Sequence, residues 1–247
     1  MAAAIAEESN IVFRRAEFRD NDPVRTLAIG DIHGCLKSLG TLATFVQLSA
    51  GDRLVFLGDY VDRGPDSRGV IDWILETRKS IEVIALRGNH EEMMMASQFN
   101  IAKAHLWASY GGRETLASYE TDFMGNWADA VPTTHWQFLQ QTRLYFETDK
   151  HIFVHGMVNP DRSMAEQDPC LMVWTKCFGM KPHQSGRPVI CGHTAHKDGN
   201  IGVYDFGVCI DTAAHKGQWL TCLNPKTGEY WQANEQGQTR AGKLERA

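Results

Sequence analysis

Five times along this 247-residue chain a short apolar, β-branched run stops abruptly at a glycine-flanked cluster of acids, amides and histidines. Arg25–Ile29 runs into Gly30-Asp31-Ile32-His33-Gly34, and Arg53–Leu57 into Gly58-Asp59-Tyr60-Val61-Asp62-Arg63-Gly64. Ile81–Leu86 meets Arg87-Gly88-Asn89-His90-Glu91, His151–Val154 ends at His155-Gly156, and Pro188–Cys191 at Gly192-His193-Thr194. Runs of this length and composition read as buried strands. Helical patterns at Leu36–Leu48 and Ser67–Arg78 separate the first three, giving β-α-β-α-β and a parallel sheet. Ligands of open α/β sheets bind beyond the carboxyl ends of strands. The five clusters are therefore expected to meet.

The rest of the chain is arranged around that expectation. Residues 1–24 read as a loose lead-in and 25–232 as a single catalytic domain. Residues 91–145 look mostly helical and aromatic-rich, an insertion beside the site. After Ile201 short strands follow, at Gly202–Phe206, Val208–Asp211, Gln218–Asn224 and Glu229–Gln232, with Asn224-Pro225-Lys226-Thr227-Gly228 as a hairpin connection. They predict a second, largely antiparallel sheet, and residues 233–247 read as a polar, frayed tail.

Bulk properties narrow the function classes. With 43% hydrophobic and 22% charged residues, the chain can bury a substantial core and is not of disordered composition. A net charge of −5 with scattered basic residues argues against nucleic acid as a partner. No apolar run approaches the roughly 18 residues of a membrane span, and Met1–Glu7 lacks signal-peptide character. Six cysteines without a CxxC pair read as reduced thiols of a cytoplasmic protein.

Asp31, His33, Asp59, Asn89, His155 and His193 offer oxygen and imidazole donors without thiolate, a set suited to Mn²⁺, Fe or Zn²⁺. Six ligands exceed the needs of one catalytic cation, so two divalent metal ions sharing Asp59 fit better, and water between them would attack as hydroxide. Arg63 and Arg87 stand beside the ligands with planar forks suited to phosphate oxygens. His90 follows the ligand Asn89 and can face substrate as general acid, with Asp62 orienting its imidazole. His105, His135, His151, His183 and His215 read as surface or packing residues, His196 is not assigned to the site although it follows His193 by three, and Asp211 reads as packing or hydrogen-bonding near the site. Trp107, Tyr110, Tyr119 and Trp127 read as helical core or groove, and Met93–Met95 as core filler.

These four motifs, the Asp31, Asp59, Asn89-His90 and His193 clusters, resemble the signatures of the phosphoprotein phosphatase family of calcineurin-like metallophosphoesterases. The resemblance covers about residues 25–232. Bacterial and phage serine/threonine phosphatases are similar in length and in Tyr110-Gly111-Gly112, Thr115-Leu116-Ala117-Ser118-Tyr119 and Ile210-Asp211-Thr212. It implies a four-layer αββα sandwich, a dinuclear site usually served by Mn²⁺, and direct hydrolysis without a phosphoenzyme. The metal, arginine and His90–Asp62 roles it implies fall on the residues named above, with Asn89 also near the substrate phosphate. Two positions depart: Gly156 stands where many bacterial members have alanine, and Lys176 where the family's third phosphate-binding arginine falls. The second bears on substrate strength and class. The expected function is hydrolysis of phosphoserine, phosphothreonine or phosphotyrosine esters. The alternative enzyme is a symmetrical dinucleoside polyphosphate hydrolase carrying the same motifs, and the non-enzymatic alternative is an inactive scaffold for phosphorylated partners.

Overall fold

A computed structural model describes residues 25–123 and 126–245, so the lead-in at 1–24 lies outside the described residues. Three parallel strands, β1 (Arg25–Ile29), β2 (Asp52–Phe56) and β3 (Glu82–Ala85), are joined through α1 (Leu36–Val46) and α2 (Ser67–Thr77). Asp66 starts α2 by accepting the Gly69 amide at 2.7 Å. Between β3 and β4 (Tyr145–Glu147) the chain is helical: α3 (Asn89–Ser97), α4 (Ile101–Trp107), a π-helical turn at Ala108–Gly112, α5 (Arg113–Ser118) and α6 (Thr133–Gln141). Then follow β5 (Ile152–Val154), α7 (Pro169–Trp174), β6 (Val189–Cys191), β7 (Gly202–Tyr204), β8 (Gly207–Cys209), β9 (Leu220–Leu223), β10 (Glu229–Ala233) and β11 (Thr239–Lys243).

The strands make two mixed sheets, ordered β11-β10-β9-β1-β2-β3 and β4-β5-β6-β8-β7. This corrects the expected assignment of the C-terminal strands. β9 runs antiparallel against β1, with Ile29 opposite Cys222, and β10 and β11 extend the first sheet from there. The second sheet has a parallel centre, β5-β6-β8, with antiparallel β4 and β7 at its edges. The expected frayed tail is likewise replaced by β11, which pairs along its length with β10.

Side chains alternate between faces along a strand, and here the alternation builds three layers of core. Ala28, Val55, Leu57, Ile84, Phe153, Ile190 and Val208 fill the space between the sheets. Leu27, Ile29, Leu54 and Phe56 point outward onto Leu39 and Leu42 of α1 and Val70 and Ile74 of α2. Ile152, Val154, Val189 and Cys191 point outward from the second sheet onto Met172 and Val173 of α7. Strands buried on both faces are the physical reason the runs read as continuously apolar. The result is the four-layer αββα sandwich. Trp107 and Trp127, with ring centroids 5.1 Å apart, centre the core of the helical segment, where Met93 and Met94 are also buried.

Candidate active site

The strand ends carry unusual backbone. His33, Asp59, Asp62, Arg63 and His193 all have positive φ, between 47° and 75°. Non-glycine residues held there cost on the order of 1–3 kcal/mol each and persist only when their surroundings fix them. What fixes them is on both sides of the turn. The amides of Ile32 and His33 donate to the Asp59 carbonyl at 3.1 and 2.8 Å, and Gly34 to Tyr60. The buried Glu91 carboxylate accepts the amides of Asp59, Tyr60 and Gly88 at 2.8–2.9 Å. Burial and the neighbouring Asp59 push its carboxyl up to about 8 against those bonds. Gly88 and Gly192 permit two close approaches, since a β-carbon at either would run into the carboxylate of Asp59 or Asp31.

Asp59 lies at the centre of the arrangement. Its Oδ2 stands 3.4 Å from His33 Nε2 and its Oδ1 3.4 Å from His155 Nε2. Two groups of candidate ligand atoms result, each within 4.8 Å of one another: His33, Asp59 and His90, and Asp59, His155 and His193. Backbone carbonyls set which nitrogen each ring presents, because a carbonyl only accepts. His33 Nδ1 donates to Val61 and His155 Nδ1 to Leu57, both at 2.9 Å, which leaves Nε2 as the unprotonated nitrogen on each. His193 is turned the other way, with Nε2 donating to the Trp174 carbonyl at 3.1 Å and Nδ1 left as the ligand atom. Asn89 Oδ1 is 3.2 Å from His155 Nε2, at the second group.

Asp31 is placed beside the two groups, its carboxylate accepting the His193 amide at 3.0 and 3.2 Å. Burial, Asp211 and Asp59 push its carboxyl well above the usual range, and burial together with Cys209 and Asp59 pushes Asp211 up to about 7. For Asp59 burial acts the same way, but His155, His90, His33 and His193 outweigh it and hold the carboxyl below its ordinary value. The carboxylates of Asp31 and Asp59, with Nε2 of His33 and His155 and Nδ1 of His193, form a donor set that divalent cations fit: hard oxygen and borderline nitrogen, with carboxylate repulsion for a cation to relieve.

His90 belongs to the first group and also to a separate dyad. Its Nδ1 donates to Asp62 Oδ2 at 2.6 Å, and burial, which disfavours protonation, is outweighed by Asp59 and Asp62, so its pKa rises above the ordinary histidine value. Asp62 is fixed in turn by Trp107 Nε1 at 2.8 Å and Thr115 Oγ1 at 2.6 Å. The helical segment thus supplies the support of the dyad, and Gly111 accepts the Arg63 amide at 3.1 Å. Arg63 is exposed, with Nη1 2.8 Å from His33 Nε2.

Two cationic candidates differ in placement from the simplest expectation. The Arg87 guanidinium is buried at the C-terminus of α6, donating to Thr142 Oγ1 and to the carbonyls of Gln140 and Thr142 at 3.0–3.2 Å. Lys176 is exposed just past α7 and close enough to His193 to disfavour its protonation. A further residue joins the site that sequence pattern did not single out: His215 packs edge-on against His33, with ring centroids 4.7 Å apart. His135 and His183 are buried packing residues bonded to Tyr119 and Ser185 respectively. The six cysteines are free thiols, and among the described residues no helix is long and apolar enough to cross a membrane.

Residues 24–207 match the model of the family described as calcineurin-like phosphoesterase. A curated relative, the symmetrical bis(5'-nucleosyl)-tetraphosphatase of Cellvibrio japonicus, is 30% identical over 59% of this chain and 49% of its own length. The chain thus spans about half the length of the curated relatives it matches. The crystal structure of a candidate diadenosine tetraphosphatase superposes with a TM-score of 0.62 at 20% identity, covering 90% of this chain and 95% of that one. The cold-active protein-tyrosine phosphatase of a Shewanella species gives a TM-score of 0.62 at 14% identity, covering 88% and 80%. At those identities the two structures speak for the fold.

Proposed function

This chain belongs to the calcineurin-like phosphoesterase family, and from that premise we propose that it hydrolyses a symmetrical dinucleoside polyphosphate to two nucleotides. The observation that carries the reaction class is Asp59, whose two oxygens face two separate ligand groups. The substrate class rests on the names of the curated relatives, which favour the dinucleotide alternative over the phosphoprotein expected first.

His33, Asp59 and Asp31 would hold one divalent cation, and Asp59, Asn89, His155 and His193 the other. When bound, the pair supplies Lewis acidity toward phosphoryl oxygens and an acidified water, with Mn²⁺ the leading candidate and Fe or Zn²⁺ alternatives. The chain's own groups do the rest. Arg63 binds the equatorial oxygens of the phosphoryl group under attack, and Lys176 adds a point charge on the His193 side. His90 delivers a proton from Nε2 to the departing oxygen, and Asp62 holds the imidazolium in orientation through Nδ1. Trp107 and Thr115 keep the Asp62 carboxylate in place while that proton moves.

The test is a panel of diadenosine tetraphosphate, a phosphoserine peptide and an aryl phosphate, each with Mn²⁺ and with product identified. ADP as the sole nucleotide product, with kcat/KM on the dinucleotide at least tenfold above that on the peptide, is the expected result. Peptide turnover without ADP release would restore the phosphoprotein reading.

A further inference from the structure

His215 lies on a single 3-10 turn, Ala214–Lys216, between β8 and β9. The turn is bracketed by left-handed residues, Ala213 at φ 58° and Gly217 at φ 75°, so its course is sharply bent at both ends. It is also tied down. The Ala213 amide donates to Asp211 Oδ1 at 3.1 Å, the Trp219 amide to the Thr212 carbonyl at 3.2 Å, and Thr212 Oγ1 to the Trp219 carbonyl at 2.6 Å. This clamp delivers the His215 ring edge-on to His33, which meets the ring of His90 in the same edge-on manner at 4.7 Å.

Nothing in the packing accounts for a histidine there. Its Nδ1 is buried without a hydrogen-bond partner among the described residues, which is unfavourable relative to a satisfied group. A buried nitrogen without a partner is better tolerated as a lone pair than as an N–H. The imidazole proton therefore belongs on Nε2, the nitrogen that reaches solvent. A neutral N–H donor then faces outward beside two cations, since Arg63 and the exposed Lys216 both act on the ring. His215 stands in neither group of candidate metal ligands. The His215 donor and the Lys216 charge are thus added to Arg63, whose Nη1 is 2.8 Å from His33 Nε2, whereas Lys176 lies on the His193 side. A substrate with one phosphate, held at the metal groups and by Arg63, has no use for His215 and Lys216. A chain of phosphates does, because the group next to the one under attack carries its own charge and must rest against something.

We propose that His215 Nε2–H and Lys216, beside the Arg63 that serves the phosphoryl group under attack, form a subsite for the phosphate adjoining the one hydrolysed, and that this subsite selects polyphosphate chains over monoesters. The proposal rests on the dinucleoside polyphosphate reading for its biological sense, but its test does not depend on turnover. ADP and AMP differ by that one adjoining phosphate. Their binding to the manganese-loaded protein is measured by calorimetry for wild type, His215→Ala, His215→Gln and Lys216→Ala. Wild type should bind ADP at least tenfold more tightly than AMP. His215→Ala and Lys216→Ala should each shrink that ratio by about tenfold, the loss of one charge-assisted or donor contact. His215→Gln, whose amide can donate from a similar position, should recover part of it. A wild-type ratio near one, or a ratio unchanged in Lys216→Ala and His215→Ala, would overturn the subsite. Lys216 is exposed, so its variant reports even if the His215 variants fold poorly. Absence of ADP release from diadenosine tetraphosphate, with the binding ratio intact, would instead remove the substrate reading and leave the subsite standing.

Discussion

A carboxylate that offers one oxygen to each of two sites makes those sites interdependent. Asp59→Asn removes one of the two anionic oxygens and turns the other end into an amide that repels a cation. It should lower the affinity of both metals by about a hundredfold or more. Asn89→Ala touches only the side where Asn89 Oδ1 approaches His155, so one metal should be retained. Metal content after gel filtration, near zero for the first variant and near one equivalent for the second, checks the assignment. Equal losses in both would show that Asp59 is not shared. The convergence of these side chains was legible in sequence, because they stand at strand ends beside glycines that admit close approach. Two things were not. Arg87 stands two residues before Asn89, yet its guanidinium caps α6, and closeness in sequence says nothing about which way a long side chain runs. His215 is placed by the clamp around Thr212 and Trp219, a tertiary arrangement that leaves no local pattern.

Elements show the same division between local and distant causes. The β-α-β-α-β start could be read directly, since apolar runs buried on both faces announce parallel strands. β4, just past the stretch that looked helical, was not singled out, being three residues long and defined by its pairing with β5. β11, Thr-Arg-Ala-Gly-Lys, has almost no apolar content and is mostly exposed. It exists through its hydrogen bonds to β10, which composition cannot display. The end of α6 offers a test at this level. Arg87 closes several of its last carbonyls, so Arg87→Ala should destabilise the protein by about 1–3 kcal/mol. The folded variant should keep kcat/KM within tenfold. Urea unfolding and steady-state kinetics on the same preparation separate the outcomes, and a large rise in KM without loss of stability would return Arg87 to the phosphate.

For the molecule as a whole, stability in acid should depend on the pair that joins the starts of β1 and β2. Arg25 grips Asp52 with two bonds of 2.7 and 2.8 Å, and the Ser49 amide adds a third. Burial raises the Asp52 carboxyl, but Arg25 and Ser49 prevail and its pKa lies below the ordinary value. A depressed folded pKa means that the stabilisation is present above the unfolded value, about 4, and fades as pH falls through the lower folded one. Asp52→Asn should therefore be less stable than wild type at pH 7, with the gap narrowing below about pH 4. A gap independent of pH would show that the contribution is not electrostatic. A different consequence follows from the place of β9. On a ribosome, β1 emerges before every other strand of the two sheets, and β2 covers one of its edges soon afterwards. The other edge is claimed only by Leu220–Leu223, made nearly two hundred residues later. Throughout that interval the nascent chain carries an apolar strand with an open row of amides and carbonyls, a template for pairing with the wrong partner. Synthesis of this protein should accordingly be sensitive to the supply of chaperones that shield such edges during elongation, more than its stability once folded would suggest.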